Sequence, residues 1–399
     1  MNKIPVAILG ATGLVGQRFI TLLDKHPWFE IAELAASDNS VGKKYGDAAK
    51  WQLPYEIPER LAQMQVLPCD PVKVQAPLVF SALPTDIAGD VEVAFAKRGA
   101  IVSSNASPHR MGADVPLVIP EVNPDHLALA EVQKKKHGSD GFIMCNGNCT
   151  TIHLVLALAP LHKRFGLKKV LVTSMQALSG AGYPGVASLD IIDNVVPYIG
   201  GEEDKVEQEP RKFLGKLRTE GKGGKEGGEG REGREGGGGR EGGEGGEGKE
   251  GGEGGEGGEG GEGNAFIEYA DIRISAHCNR VATRDGHIET VSVEFVGDSA
   301  THKPKFEDIV AAFDEFRGLP QELQLPLAPE HPTVYRREQD RPQVKLDRDA
   351  EKGMATIIGR LRDCNVLDYK FVLLGHNTLR GAAGATVLNA ELLYAQGKL

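Results

Sequence analysis

The fold is decided by Ile4-Pro5-Val6-Ala7-Ile8-Leu9-Gly10-Ala11-Thr12-Gly13-Leu14-Val15-Gly16, close to the start of the chain. The apolar run 4–9 is typical of a buried strand, and a helical pattern follows from Gln17 to about Lys25. A strand, a glycine-rich turn and a helix in this order are what a dinucleotide site needs. A glycine-rich connection that binds nothing is the alternative that this pattern leaves open.

Each glycine of this turn has its own expected task. Gly10 allows the tight turn, Gly13 lets the backbone approach a pyrophosphate, and Gly16 lets the helix pack on the strand. The start of the helix then binds the phosphates, because its free N–H groups point toward them. We therefore expect a cofactor site that includes Gly10, Thr12, Gly13, Leu14 and Val15.

Strand and helix patterns alternate over residues 1–148, which predicts a doubly wound parallel sheet, that is, a Rossmann domain. We predict its strands near residues 5–9, 31–36, 78–82, 100–103, 117–119 and 141–145. A closing helix at residues 377–398 should complete this domain. Residues 149–376 are expected to form an α+β domain, since the alternating run 288–295 suits a sheet covered on one face. The predicted fold class is thus α/β, with an α+β second domain.

The composition is that of an ordinary intracellular enzyme. The 399 residues allow two domains with sizeable cores. We expect no signal peptide and no membrane segment, because Met1-Asn2-Lys3 leads straight into a strand and no apolar run is long enough. The five widely spaced cysteines argue against a disulfide framework and for the cytoplasm. A net charge of −10 argues against nucleic-acid binding, and we assign no metal site.

The segment from Glu220 to Gly263 consists of Gly, Glu, Lys and Arg alone. Its thirteen Glu and six Lys or Arg account for about −7 of the net charge of −10. Because it has no apolar side chain to bury, we predict a disordered insertion at residues 220–263, inside the second domain. A regulatory or partner-binding arm is the alternative.

A second stretch, Met144-Cys145-Asn146-Gly147-Asn148-Cys149-Thr150-Thr151, carries the candidate chemistry. A strand-like run precedes it and a helical pattern follows to about Arg164. Cys149 should thus lie at a helix start, where free N–H groups and the helix dipole favour a thiolate. A thiolate attacks aldehyde and acyl carbons, and the same N–H groups would stabilise an oxyanion. A buried structural cysteine is the alternative.

A thioester mechanism also needs a base beside the thiol. His287 is the candidate, because an imidazole can take the thiol proton near neutral pH and return it to the adduct. His277 is its rival, since it lies in the same region. Arg280 can bind a carboxylate through two parallel hydrogen bonds, although a surface ion pair would explain it equally well.

These motifs together resemble the aspartate-β-semialdehyde dehydrogenase family, above all its archaeal and fungal branch. The resemblance covers the chain outside the Gly/Glu-rich insertion, and it rests on Gly10-Ala11-Thr12-Gly13, Asn148-Cys149-Thr150, Gln176-Ala177-Leu178-Ser179-Gly180-Ala181-Gly182, Arg280 with Gly286-His287, and Asn377-Thr378-Leu379-Arg380-Gly381-Ala382-Ala383. It implies NADPH-dependent reductive dephosphorylation of L-aspartyl-4-phosphate to L-aspartate 4-semialdehyde, in lysine, methionine and threonine biosynthesis. It also implies a homodimer or homotetramer, with catalysis and dimerisation in the second domain.

The resemblance implies a role for each matching residue. Cys149 matches the acylated nucleophile, His287 the acid/base, and Gln176 the residue that orients the substrate. Arg280 matches the ligand of the substrate carboxylate, and Glu202 that of its amine or the surrounding network; a solvated helix face is the alternative for residues 200–205. The other matches are Arg110 and Lys205 for phosphate, Asn105 for substrate, and Ser179, Gly180 and Asn377 for the cofactor.

Three positions depart from the family's pattern. Gly147 stands where proline usually precedes the asparagine, and it should loosen the turn because glycine costs more backbone entropy on ordering. Ala282 stands where proline is common, with a small expected effect. Residues 37–40 lack an arginine for the 2′-phosphate of NADP; Asp38 would instead suit the free ribose hydroxyl of NAD. We expect NADP, because other polar side chains can still bind the phosphate, namely Ser37, Ser40, Lys43 and Lys44.

Two other functions remain open on the sequence. One is a related acyl reductase acting on malonyl-CoA or N-acetylglutamyl phosphate; Arg280 and Glu202 argue for an amino-acid substrate instead. The other is a non-catalytic dinucleotide-binding sensor or scaffold that uses the Gly/Glu-rich insertion as its arm. The presence of Cys149, Gln176 and His287 argues against this second alternative.

Overall fold

The apolar run at the start of the chain forms the centre of a parallel sheet. The computed structural model describes residues 3–219, 265–297, 301 and 303–399. In this described part, the strand order is β3-β2-β1-β4-β5-β6, and all pairings are parallel. The bounds are β1 (Ile4–Leu9), β2 (Phe29–Ala36), β3 (Leu67–Pro68), β4 (Leu78–Ser81), β5 (Ile101–Ser104) and β6 (Phe142–Cys145). This order is that of a doubly wound dinucleotide-binding sheet, so the predicted fold of this half is confirmed.

Helices cover both faces of this sheet because both faces of β1 are apolar. Val6 and Ile8 join the core on one side, and Ala7 and Leu9 join the core on the other, as the alternation of a strand requires. The helices of this half are α1 (Leu14–Leu23), α2 (Tyr45–Ala48), α3 (Glu59–Ala62), α4 (Thr85–Lys97) and α5 (Leu129–His137). A 3₁₀ turn, Pro124–Ala128, leads into α5.

Two predicted elements of this half were wrong in detail. Residues 117–119 do not form a strand: Leu117 makes only an isolated bridge with Cys145 of β6, and the sixth strand is instead the short β3 at the opposite edge of the sheet. A strand of two residues has too little periodicity to be seen in a sequence. The closing helix begins with a π-helical turn, Leu379–Ala383, and continues as α12 (Gly384–Ala395). Asn377 stays outside it because its side chain accepts from the Gly286 N–H and donates to Ser179 Oγ, each at 2.8 Å.

The second half is a mixed sheet packed against a long helix. Its described strands have the order β10-β7-β11-β14-β13-β12, with β7·β10 and β12·β13 parallel and the other pairs antiparallel. The bounds are β7 (Leu167–Gln176), β10 (Arg273–Arg280), β11 (His287–Phe295), β12 (Thr333–Arg336), β13 (Thr356–Asp363) and β14 (Tyr369–Gly375). Helix α6 (Cys149–Phe165) covers one face through Leu154, Leu158 and Leu161. The α+β character of this half is thus confirmed.

Shorter elements surround this second sheet. They are α7 (Ser188–Ile191), α8 (Glu202–Phe213), α9 (Phe306–Asp314), α10 (Leu319–Glu322) and α11 (Val344–Asp347), with a separate pair of strands, β8 (Lys216–Thr219) and β9 (Ala265–Glu268). Among the described residues, no helix combines the length and the apolar character that crossing a membrane requires. The predicted disorder of residues 220–263 lies outside the described part of the chain.

We expect the Gly/Glu-rich insertion to be dispensable for catalysis. Thr219 and Ala265 pair across the antiparallel strands β8 and β9, so the two ends of the segment already meet. Replacing residues 221–262 with a short Gly/Ser turn should keep kcat and KM within about threefold, because closure entropy changes only logarithmically with loop length. Steady-state kinetics of the shortened enzyme test this. Loss of activity in a folded product would instead assign the segment to assembly, regulation or the active site.

Candidate active site

The nucleophile turn joins the two halves of the molecule. Strand β6 ends at Cys145, residues 146–148 form the turn, and α6 begins at Cys149. Asn148 is the N-cap of α6: its Oδ1 accepts from the N–H groups of Thr150 (2.9 Å) and Thr151 (3.2 Å). These two N–H groups are therefore already bonded. The prediction that free N–H groups at the helix start stabilise an oxyanion is wrong for both Thr150 and Thr151.

Gly147 does not loosen this turn. A Cβ at this position would lie 2.8 Å from two ring carbons of Phe213 and 3.2 Å from Glu209 Oε2. Helix α8 thus occupies the space that a proline ring would take, and glycine permits its close approach. In addition, Glu209 Oε2 accepts from the Asn148 N–H at 2.7 Å. The turn is held from outside, which offsets the flexibility that glycine brings.

The thiol of Cys149 meets the imidazole of His287. His287 Nε2 lies 3.2 Å from Cys149 Sγ, and its Nδ1 accepts from the Ala177 N–H at 3.0 Å. An imidazole that accepts at Nδ1 carries its proton on Nε2 when neutral, so Nε2–H is directed at the sulfur. His277 is exposed on β10, where the alternation of the strand turns it to the opposite face. The structure therefore brings His287, and not His277, to the thiol.

Burial dominates the acid–base properties of this pair. It raises the pKa of the Cys149 thiol to about 12, and Glu202 adds to the rise, although Arg110, Arg280 and the Thr150 N–H oppose it. The thiol is only partly exposed, toward the cleft. The expectation that the helix start favours a thiolate is therefore wrong for the free protein, because desolvation of the charged sulfur outweighs the N–H groups.

Burial also keeps the imidazole of His287 neutral. Burial lowers the pKa of His287 well below its usual value, and the positive charge of Arg280 lowers it further. The Ala177 N–H acts in the same direction, since a protonated Nδ1 would face it as a second donor. The free site consequently holds a thiol and a neutral imidazole rather than an ion pair.

Three of the predicted site residues converge because their strands end together. Gln176 and Arg280 are paired at the ends of the parallel strands β7 and β10, and His287 begins the adjacent antiparallel strand β11. Arg280 Nη1 donates to the Ala177 carbonyl at 2.6 Å. A Cβ at Gly180 would lie 2.9 Å from that nitrogen, so glycine leaves the room that the guanidinium needs. A carboxylate entering the cleft would meet this guanidinium beside the thiol.

A second basic group, Arg110, lines the same cleft as Arg280 and Cys149. Arg110 donates from Nη1 to Glu209 Oε1 (3.0 Å) and from Nη2 to the Asn105 carbonyl (2.8 Å). Burial alone would lower the pKa of Arg110, but the Glu209 carboxylate raises it above its usual value. Lys205 Nζ lies 3.4 Å from Glu202 Oε2, and the other oxygen of Glu202 accepts from the Asn148 side chain. Two cations, Arg110 and Lys205, thus line the cleft.

The cleft itself has a volume of ≈ 680 Å³. The predicted site residues that line it are Gly13, Leu14, Val15, Asn105, Arg110, Cys149, Gln176, Ser179, Gly180, Glu202, Lys205, Arg280 and Asn377. A neighbouring cavity of ≈ 420 Å³ is lined by Gly10, Thr12 and Ser37, together with Asp38 and Cys69. Ser40 is buried and Lys43 is exposed, and neither lines these two cavities.

The glycine turn fits a dinucleotide. Gly10 has φ +72°, and a Cβ there would lie 2.6 Å from the Ala82 carbonyl oxygen. A Cβ at Gly16 would lie 2.3 Å from the Gly10 carbonyl oxygen, so α1 packs directly on the turn. No side chain caps the start of α1 at Gly13, whose backbone lines both cavities. Uncapped N–H groups at a helix start are what a pyrophosphate requires.

Several residues that hold the site were not predicted from the sequence. Glu209 lies seven positions after Glu202, so the helical period puts both on one face, and this spacing was the available signal. Lys212 is buried and donates to the carbonyls of Arg110, Gly112 and Val115. Asn146 donates to Asn105 Oδ1 at 3.0 Å, and no local pattern marks it.

We expect Cys149 to react slowly with iodoacetamide near neutral pH. Its raised pKa means that the thiolate fraction, and with it the alkylation rate, should rise about tenfold per pH unit with no plateau below about pH 9. Cys364 is an internal comparison, because the N–H groups of Leu367 and Val366 outweigh its burial and lower its pKa. Mass spectrometry gives both rates from one sample. A plateau for Cys149 near neutral pH would reveal a thiolate–imidazolium pair instead.

Comparison with known proteins agrees with this geometry. A model of the semialdehyde dehydrogenase NAD binding domain matches residues 5–130, and one of the semialdehyde dehydrogenase dimerisation domain matches residues 158–225 and 256–380. An aspartate-semialdehyde dehydrogenase of Archaeoglobus fulgidus is 49% identical over 388 residues, covering 97% of each chain. One of Candida albicans is 40% identical over 405 residues, covering 99% of each chain.

A solved structure extends the likeness to three dimensions. The crystal structure of aspartate semialdehyde dehydrogenase with NADP from Candida albicans matches with a TM-score of 0.81 at 38% identity, over 100% of both chains. The resemblance seen in the sequence motifs is thereby confirmed, including its archaeal and fungal character. The chain belongs to the aspartate-semialdehyde dehydrogenase family.

Proposed function

We propose that this chain is an oxidoreductase that converts L-aspartyl-4-phosphate to L-aspartate 4-semialdehyde and phosphate with NADPH, through a thioester on Cys149. The step would supply lysine, methionine and threonine biosynthesis. One observation carries the proposal: the Cys149 thiol lies 3.2 Å from His287 Nε2, in a cleft that holds separate cations for two anionic groups. Relatives named for this activity, over nearly the full length, support the choice of substrate.

The substrate's three charged groups are matched by four side chains. Arg280 binds the α-carboxylate, and Glu202 faces the amine. Arg110 and Lys205 hold the phosphoryl group and neutralise the phosphate as it leaves. Asn105 supports this phosphate side through its carbonyl contact with Arg110, 2.8 Å away. Because the carboxylate and phosphate sites flank the thiol, the bound acyl carbon comes to the sulfur.

Two groups handle the protons. As the S–C bond forms and the C–O bond to phosphate breaks, the thiol proton passes to an oxygen of the departing phosphate, and the positive charges of Arg110 and Arg280 favour its loss from the sulfur. The Nε2–H of His287 stabilises the sulfur charge, then donates to the oxygen of the tetrahedral adduct and recovers the proton as the adduct collapses. Gln176, beside Arg280 at the strand ends, orients the acyl group.

The cofactor site is proposed along the glycine turn. Residues Gly10, Thr12, Gly13, Leu14 and Val15 would hold the pyrophosphate and ribose, and Ser179, Gly180 and Asn377 the nicotinamide side. Bound NADPH supplies the hydride that reduces the thioester. NADP is favoured because the Candida albicans relative was solved with it. On the adenosine side, Ser37 lines the adjoining cavity and would contact the 2′-phosphate; Ser40 and Lys43, which were expected to do so, do not line this cavity and are not assigned that role.

Domain roles and assembly follow from the same proposal. Residues 1–148, completed by the C-terminal helix, form the NADP-binding domain, and residues 149–376 form the catalytic and dimerisation domain. A homodimer or homotetramer is supported by the dimerisation-domain match and by exposed apolar side chains, among them Leu189, Ile192 and Tyr198 at 90%, 64% and 70% exposure. Five free cysteines support a reducing cytoplasm.

The activity test is NADP reduction by L-aspartate 4-semialdehyde with and without phosphate. We expect turnover that depends on phosphate, because the thioester must be released by an oxyanion of phosphate held at Arg110 and Lys205. Cys149→Ser should lower turnover by orders of magnitude while NADP binding persists. Phosphate-independent turnover, or a preference for coenzyme A or N-acetylglutamate 5-semialdehyde, would favour the related acyl reductases. Absence of all turnover would favour a non-catalytic role.

A matched pair of histidine variants tests the acid/base. His287→Asn should reduce kcat by about a hundredfold or more, because it removes the proton donor 3.2 Å from the sulfur. His277→Asn should leave kcat within about twofold, since that side chain is exposed on the other face of the sheet. Steady-state rates of both variants give the comparison. A larger loss in the His277 variant would overturn the assignment.

A further inference from the structure

Helix α8 carries four charged side chains on one face. Glu202, Lys205, Glu209 and Lys212 are spaced by three, four and three residues, which is the period of a helix. Glu202 and Lys205 lie at the cleft, as described above. Lys212 anchors the far end of the helix to the loop that carries Arg110, through three backbone carbonyls at 2.7–2.9 Å. Glu209 lies between these two ends.

Glu209 links the two parts of the site that must meet during the reaction. Its Oε1 accepts from Arg110 Nη1 at 3.0 Å, and its Oε2 accepts from the Asn148 N–H at 2.7 Å. The residue is only 2% exposed and does not line the cleft. One carboxylate therefore sets the distance between the phosphate-side guanidinium and the turn that carries Cys149.

We propose that Glu209 is a positioning residue, which fixes the position of the Arg110 guanidinium relative to Cys149. The inference rests on the proposed function, in which Arg110 binds phosphate. With both oxygens engaged, Glu209 prevents the guanidinium from turning away when the cleft is empty, and it presents Arg110 to the phosphate already oriented. The close contact at Gly147 is the sequence feature that lets α8 approach near enough for this bridge.

We call the two hydrogen bonds of Glu209, to Arg110 and to the Asn148 N–H, the Glu209 bridge. This bridge requires a carboxylate on a side chain as long as that of glutamate. Each oxygen of Glu209 faces a hydrogen-bond donor, Arg110 on one side and the Asn148 N–H on the other. Glutamine has the same shape, but its side chain ends in one carbonyl oxygen and one NH₂ group. Its NH₂ group would therefore face one of the two donors, and that hydrogen bond would be lost. An aspartate keeps both acceptors but is one methylene shorter, so it reaches one donor and loses the other. Both substitutions keep a polar side chain while breaking the bridge.

The first experiment measures Glu209→Gln in the oxidative direction, with phosphate and L-aspartate 4-semialdehyde varied separately. We expect the KM for phosphate to rise about tenfold to a hundredfold, the loss of one charge-assisted hydrogen bond. The KM for NADP should stay within about twofold of the parent value, because NADP is proposed to bind at the glycine turn and Glu209 does not contact that turn. An equal rise in every KM, or an unchanged KM for phosphate, would overturn the proposal.

Glu207→Gln is the matched control on the same helix. Glu207 also accepts a backbone N–H, that of Ala276 at 2.9 Å, and so ties α8 to β10. Because its other oxygen has no role in the bridge, a glutamine can keep the single contact. We expect its kinetic constants within about twofold of the parent. A phosphate effect as large as that of the Glu209 variant would show that α8 acts only as a scaffold.

A double-mutant cycle tests the positioning role of Glu209 separately from the phosphate-binding role of Arg110. Arg110→Ala should itself raise the KM for phosphate; if it does not, Arg110 is not a phosphate ligand and the proposed site is wrong. If it does, adding Glu209→Gln should raise that KM no further, since Glu209 acts through Arg110. Additive effects would overturn the positioning role while leaving the phosphate site intact. Should Glu209→Gln fail to fold, Glu209→Asp takes its place in every arm of the cycle.

Discussion

The hydrogen bonds of Asn148 hold the turn between β6 and α6, and the active site is built around that turn. Its Oδ1 caps α6, its side-chain amide donates to Glu202, and its backbone N–H donates to Glu209. Cys149 follows directly, so the sulfur has a defined position before any substrate arrives. Because Glu202 and Glu209 belong to one helix, the same contacts place helix α8 relative to the thiol.

Burial gives this site its chemistry as much as the choice of side chains does. A thiol at a helix start would favour the thiolate in water, yet desolvation raises the pKa of Cys149 to about 12. The neighbouring imidazole is kept neutral by burial and by the Ala177 N–H. The free site thus carries no ion pair between Cys149 and His287, and Arg110 and Arg280 supply positive charge near the thiol.

Several features of the fold and the site could be predicted because their signals are local. The strand, glycine turn and helix at residues 4–16 need only periodicity and the freedom of glycine, and the sheet order agrees with them. The N-terminal position of Cys149 on α6 also followed from a change of period. The edge strand β3 and the π-helical turn before α12 could not be predicted, since each depends on neighbours distant in the sequence.

The sequence by itself determined the secondary structure around the nucleophile, the cofactor turn and the set of reactive residue types, because these depend on neighbouring residues. Only the tertiary structure decided which histidine meets the thiol. His277 and His287 are ten positions apart, and the pairing of β10 and β11 with β7 puts just one of them on the buried face. Tertiary packing also decided the protonation of Cys149 and His287 and the two hydrogen bonds of Glu209. Burial and the meeting of α8 with the turn at Asn148 exist only once segments 61 residues apart have packed together.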